Sequence, residues 1–324
     1  MNPTASNAEV EAAIEVGAAP VEASGCRHRR GLMLLLMLIA TFCWAANIIA
    51  GKEALRGFGA LALAQMRVWG ASVIYVALFL AWPGRPSLRR SRRDWAFLGL
   101  VALFGITLNQ LFFIGGLART SAAHTALIVA LGPVMVLALS RMLRMEALTL
   151  LKSVGIRVSF CGVAVLTTGK GGRGNGAHWQ GDLLALAGSG VFAYFTILVK
   201  EAAVQSDALT LNTIIFILGS VLMLPFTARQ LLAVRWSAMP PLAWWGLAYM
   251  VVMGSVLAYL LFAFALAELT PSRAAAFNYL QPLIAISLGV WMLGEKVTSG
   301  LTAGGALILV GLYLTERERV NGDP

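Results

Sequence analysis

His124 and Pro133 stand nine residues apart in an otherwise apolar stretch, HTALIVALGP, and Arg273 and Pro282 keep the same spacing in RAAAFNYLQP. A basic side chain inside such a run is expensive, at least about 2.5–3.5 kcal/mol for an arginine at the centre of a membrane helix, so it marks a transport path unless it is otherwise satisfied. The guanidinium fork of Arg273 suits a substrate carboxylate or phosphate. Histidine is the side chain whose ordinary pKa lies near neutrality, so His124 suits proton coupling. Asn278 and Gln281 follow Arg273 and, with Ala285, form one polar-to-small helix face around Pro282. A proline inside a helix removes a backbone hydrogen bond and permits a bend, so Pro133 and Pro282 read as hinges of a carrier that rocks. Each feature also has a plainer reading: snorkelling for Arg273, an interhelical hydrogen bond for His124, static packing kinks for the prolines.

Further polar groups share the apolar runs. Asn109 and Gln110 are adjacent amides, of which at most one can face a pore squarely. Asn47 and Trp44, one turn apart, give their helix a polar and aromatic stripe that fits either a substrate side chain or helix packing. Arg67 reads as an anchor to Glu53 or a headgroup. Glu146 and Glu295 precede apolar runs and read as complements to the positive ends of the helices that follow them. Gly155 with Gly162, and Gly304 with Gly311, each lie two turns apart, as close helix contact requires. No paired aspartates, HExxH, GxSxG or P-loop occurs in the spans, so no enzyme is indicated. Cys26, Cys43 and Cys161 are too few and too scattered for a disulfide framework or metal site, and no cofactor is implied.

These residues must be positioned by membrane helices. Only 12% of the 324 residues are charged and mean hydropathy is +0.78, whereas soluble domains carry about 25% charged residues. The formal charge of +10 sits mostly in short loops, where it sets topology and gives no sign of nucleic-acid binding. The apolar runs predict ten helices, at 31–50, 60–82, 95–117, 121–143, 150–169, 181–200, 208–227, 243–267, 273–293 and 299–315. Trp82, Trp95, Trp179, Trp236, Trp244 and Trp291 fall near their ends, as an interfacial belt requires. The polar leader and the RHRR before the first run predict a disordered cytoplasmic tail over 1–30 and then a signal anchor. With the N-terminus inside, fifteen of the 25 Lys and Arg fall on the inner side and eight on the outer, so both termini are expected in the cytoplasm.

The chain also repeats itself. Shifting 105–166 by 149 positions lays it on 254–315 without gaps, pairing Gly105 with Gly254, Pro133 with Pro282, His124 with Arg273, Gln110 with Tyr259 and Glu146 with Glu295. Gly70/Gly219 and Trp95/Trp244 keep that shift, and one residue of slippage pairs Lys52-Glu53 with Lys200-Glu201. Five helices per copy force the second copy to enter the membrane inverted, a ground plan of secondary transporters. The expected all-α fold is thus a five-helix copy at 31–170, a connector at 171–180, a second copy at 181–315 and a cytoplasmic tail at 316–324.

WAANIIAGK, LNQLFFIGGLARTSAAHTALIVALGP and FALAELTPSRAAAFNYLQPLIAISLGVWMLGEKVTSG, in this arrangement, resemble the EamA-type drug/metabolite transporters over about 31–315. The resemblance implies ten helices around a central cavity and export of small metabolites from a bacterial cytoplasm across the inner membrane. It also supports an arginine-type residue at Arg67. Most of that family carries small residues where this chain has His124 and Arg273, so its own specificity is expected there. The expectation is a secondary exporter working by alternating access, as a monomer or homodimer, with proton coupling through His124. Its substrate pathway would include Trp44, Asn47, Gln110, His124, Tyr259, Arg273, Asn278 and Gln281, and would favour amino acids or related polar metabolites. An uncoupled facilitator, a carrier of drugs or nucleotide sugars, and a membrane scaffold or receptor subunit are the alternatives.

Overall fold

The computed structural model describes residues 21–84, 86, 88, 90–143, 149–168, 178–203, 206–268, 277 and 280–321, all of them helical or in the connections between helices. α1 is Val21–Ala54, α2 Ala60–Ala81 and α3 Arg92–Leu117. α4 (Ala122–Val129) and α5 (Gly132–Met142) follow, then α6 (Leu150–Thr168), α7 (Trp179–Ala203) and α8 (Ala208–Leu232). α9 runs from Pro241 to Glu268, α10 is Leu280–Leu293 and α11 is Ser299–Asn321. Their starts follow from sequence: Ser91 and Asp94 close a reciprocal capping box on α3, while Ser121 and Asp207 cap α4 and α8.

Seven helices among the described residues are long and apolar enough to cross a membrane, and α4 with α5, bent by 41°, makes an eighth; α10 and the apolar part of α11 are shorter. The chain is therefore an all-α, multi-pass membrane protein. Three differences from the sequence reading stand out. α1 begins at Val21, because nothing in VEASGCRHRR interrupts a helix, so residues 21–30 are helical and not a disordered tail. The run at 121–143 is two helices: the break falls at Ala130–Leu131, and Pro133 sits in the first turn of α5, where its missing N–H costs nothing. Pro282 likewise lies in the first turn of the described α10.

α3 and α9 each contain one π-helical turn, at Leu103–Leu108 and Val252–Leu257. The two turns are separated by the same 149 residues that align the sequence with itself. Each contains one of the paired glycines, and each glycine admits a side chain from another helix: a Cβ on Gly105 would strike the Phe195 ring, and one on Gly254 the Asn47 amide. The main core lies between α2, α3, α8 and α9 around Tyr75, Ile106, Phe216 and Met250. A second core joins α4–α7 to α11. Along its side α6 and α11 meet glycine to glycine; a Cβ on Gly155 would stand 2.7 Å from the Gly311 carbonyl oxygen, and one on Gly162 2.7 Å from the Ile308 nitrogen. The six tryptophans expected at an interface all lie exposed near helix ends.

Candidate functional site

α2 buries one stripe, Ala64, Arg67, Val68, Ala71 and Tyr75, at helical spacing against α3, α8 and α9. That register carries Arg67 into the interior, where it is 3% exposed. Its Nε donates to Ser255 Oγ at 2.8 Å, one Nη to Gln110 Oε1 at 3.1 Å and the other to the Gly254 carbonyl at 3.4 Å. The guanidinium carbon lies 6.0 Å from the centre of the Phe113 ring. The π turn of α9 explains the acceptors. Its irregular pitch leaves carbonyls short of their usual helical partners, and side chains take them. Gly254 O accepts from Trp44 Nε1 at 3.2 Å as well as from Arg67, and Tyr75 donates to Ser255 O and Val256 O at 3.0 and 3.3 Å.

Four residues expected on the substrate path, Trp44, Asn47, Gln110 and Tyr259, thus converge around Arg67. Trp44 meets Tyr259 edge-on at 5.8 Å and Phe262 at 5.2 Å. Asn47 lies against Gly254, and its Oδ1 is buried with no hydrogen-bond partner among the described residues. Gln110 takes the inward position; Asn109 instead turns to the Gly188 carbonyl of α7 at 3.3 Å. Arg67 is not the anchor to Glu53 that the sequence suggested, since Glu53 pairs with Arg56 at 3.1 Å. The signal was its repeat partner: Phe216 occupies the same place in the second copy, and an apolar counterpart marks a core position. Among the described residues no carboxylate reaches Arg67, whose partners are neutral oxygens and an aromatic face.

A second polar cluster lies at one end of the bundle. His124, in the first turn of α4, places Nδ1 3.1 and 3.0 Å from the two carboxylate oxygens of Asp182, in the first turn of α7. Both side chains are buried, at 4% and 3% exposure. The Thr120 hydroxyl also donates to Asp182, and Lys52 at the end of α1 donates to the Thr120 carbonyl. Gly181 allows this approach, because a Cβ there would stand 2.6 Å from the Arg119 carbonyl carbon. Glu295 reaches across from the connection between α10 and α11 and accepts from Ala122 N at 2.7 Å and Ala123 N at 3.0 Å. It therefore caps α4 rather than the helix that follows it, and the reading of Glu295 as a complement to α11 is corrected accordingly. Asp182 escaped the sequence reading because it looks like an ordinary acid at a helix start; its partner lies 58 residues away.

Of the remaining expected residues, Gln281, Pro282 and Ala285 are buried on one face of α10, and Ala285 packs against Ala45 and Ala126. Arg273, Asn278 and Glu146 lie outside the described residues.

A multi-pass bundle with polar groups concentrated in its interior and at one end has the anatomy of a membrane transporter. The model of the EamA-like transporter family matches residues 31–168 and again 179–317, and the chain belongs to that family. It is a transporter and not an enzyme. An uncharacterized transporter of Archaeoglobus fulgidus is 29% identical over 87% of this chain and 96% of its own. A probable terminal-alkyne amino-acid exporter of Streptantibioticus cattleyicolor is 25% identical over 87% and 92%, and the uncharacterized inner membrane transporter YedA of Escherichia coli is 23% identical over 84% and 87%. A solved structure with 18% identity superposes with a TM-score of 0.60, covering 90% of this chain and 99% of that one, and shares the fold.

Proposed function

We propose that this protein exports amino acids or closely related polar metabolites across a bacterial inner membrane, by alternating access between two inverted five-helix copies with both termini in the cytoplasm. The observation that carries the substrate class is Arg67: a buried cation held by neutral groups, with no carboxylate among the described residues to neutralise it. A buried charge without a counter-charge is costly, and a bound carboxylate would supply one. Asn47 Oδ1, which has no partner among the described residues, would accept from the ammonium of the same molecule, and Trp44, Phe113 and Tyr259 would receive its side chain. Similarity to a probable amino-acid exporter supports the same class. Arg273 and Asn278, before the first turn of α10, belong to the proposed path as a second polar station towards the cytoplasm, and Pro133 and Pro282 to its hinges.

Counterflow in proteoliposomes with a panel of labelled amino acids tests this reading, with Arg67→Lys and Arg273→Ala alongside wild type. Exchange driven by unlabelled amino acid, weakened in Arg67→Lys because a point charge replaces a fork, is the expected result. Wild-type protein that exchanges no amino acid would overturn the substrate class and direct the panel to drugs and nucleotide sugars.

A further inference from the structure

We propose that Asp182 and His124 form one proton-binding site that holds their end of the bundle shut while protonated and releases it on deprotonation. The proposal rests on the transporter reading but not on the substrate class. The site joins elements on both sides of the repeat boundary: His124 on α4, Thr120 between α3 and α4, and Asp182 on α7. The charged groups around it are Lys52 of α1, on the Thr120 carbonyl; Arg119, folded back onto Gly115 O at 2.8 Å; and Glu295, on the first turn of α4, with Lys296 next to it in sequence. Lys52, Arg119 and Lys296 outnumber Glu295, so the surroundings are net positive and the His–Asp pair is the group whose charge changes on protonation.

With Nδ1–H donating to the carboxylate, the pair carries one negative charge. Two helix N-termini favour it, because α4 and α7 both direct their positive ends here. An incoming proton, taken at Nε2, brings the pair to net zero and sets an imidazolium 3.1 and 3.0 Å from the two carboxylate oxygens. That ionic contact outweighs the helix ends and favours the closed arrangement over an open one in which water separates the two groups. α1 ties this end to the centre, since Trp44 and Asn47 lie only about two turns before Lys52. A protonated carrier stays shut at this end, and the proton must leave before the end opens. That is the condition for exchange of a proton for a substrate.

The site can be read without any substrate. Ala126 is fully buried beyond His124 on α4, whereas Ala118 is exposed. In full-length protein with Cys26, Cys43 and Cys161 replaced by serine, the maleimide labelling rate of Ala126→Cys is divided by that of Ala118→Cys. The ratio is expected to fall about tenfold from about pH 8 to about pH 5.5, the range in which histidines charge. Adding Asp182→Asn, or His124→Gln should that variant fail to fold, is expected to make the ratio independent of pH. A ratio flat with pH in the parent protein, or a response that persists in both variants, overturns the proposal. Transport gives a second readout: in Asp182→Asn, accumulation driven by a pH gradient should fall by a larger factor than counterflow in the same vesicles, whereas equal losses, or accumulation retained, overturn the proposal. If no amino acid is exchanged, the substrate class falls and the labelling ratio still decides this site.

Discussion

The two segments that match the family, 31–168 and 179–317, each carry a π turn and differ in chemistry. Where the first copy has Arg67 and Gln110, the second has Phe216 and Tyr259; where α1 has Trp44 and Asn47, α7 has Phe192 and Phe195. The contacts nevertheless correspond. The glycine of each π turn receives the matching residue of the other copy's first helix, Phe195 against Gly105 and Asn47 against Gly254. Geometry is carried by the elements that repeat, namely the glycines and the π turns. The polar centre is carried by positions that diverged. One copy's interior became a site for charge while the other's became its aromatic wall, with Phe216 5.5 Å from Tyr259.

Exchanging residues between the copies breaks this comparison most severely in one direction. Phe216→Arg would bury a second cation with no partner, at a cost of about 3 kcal/mol or more, and should abolish recovery of monodisperse protein in size-exclusion chromatography. Removing the first copy's charge separates stability from function. Arg67→Met takes the donors away from the buried Ser255 Oγ and Gln110 Oε1 while removing a buried charge, so thermal stability should fall by no more than about 1–3 kcal/mol. Counterflow should fall by roughly thirtyfold or more, as expected when one member of a buried charge contact is removed. A stable Arg67→Met protein that transports normally would return Arg67 to a structural role.

Smaller changes sharpen the picture at the π turns. Gly254→Ala should cost about 1–3 kcal/mol, because its methyl group overlaps the Asn47 amide. Asn47→Ala in the same chain should recover most of that loss in thermal melts. Gly105→Ala with Phe195→Ala should recover less, since removing a buried ring leaves a cavity. The smallest effect is expected at the cap. Glu295→Gln keeps an oxygen near Ala122 and Ala123 but removes its charge, for about 0.5–1 kcal/mol in the same melts.

Much of the fold was legible because it is written in long apolar runs and in rare residues recurring at one offset. The recurrence of Gly105 at Gly254 even foreshadowed the two π turns, although nothing in either segment alone announces one. Trp44, Asn47, Gln110 and Tyr259 were legible as polar or aromatic groups in apolar helices, and their convergence follows from helix register. What stayed hidden was direction across the chain. Arg67 has Glu53 as its near neighbour in sequence, yet the packing of α8 and α9 turns α2 so that it points to Ser255 and Gln110. Glu295 precedes one helix and caps another. Asp182 acquires meaning only once α4 is brought against α7. Each depends on contacts between residues far apart in sequence, which local pattern does not contain.

The reach of Glu295 also bears on how the protein is made. The ribosome finishes α4 long before it adds residue 295, so the nascent first half holds two amides, Ala122 N and Ala123 N, whose acceptor has yet to be synthesised. Until α10 and its trailing loop arrive, that turn must lean on water or headgroups at the membrane surface. The last section of the polypeptide therefore completes the first, and assembly is finished only when nearly the whole chain has emerged.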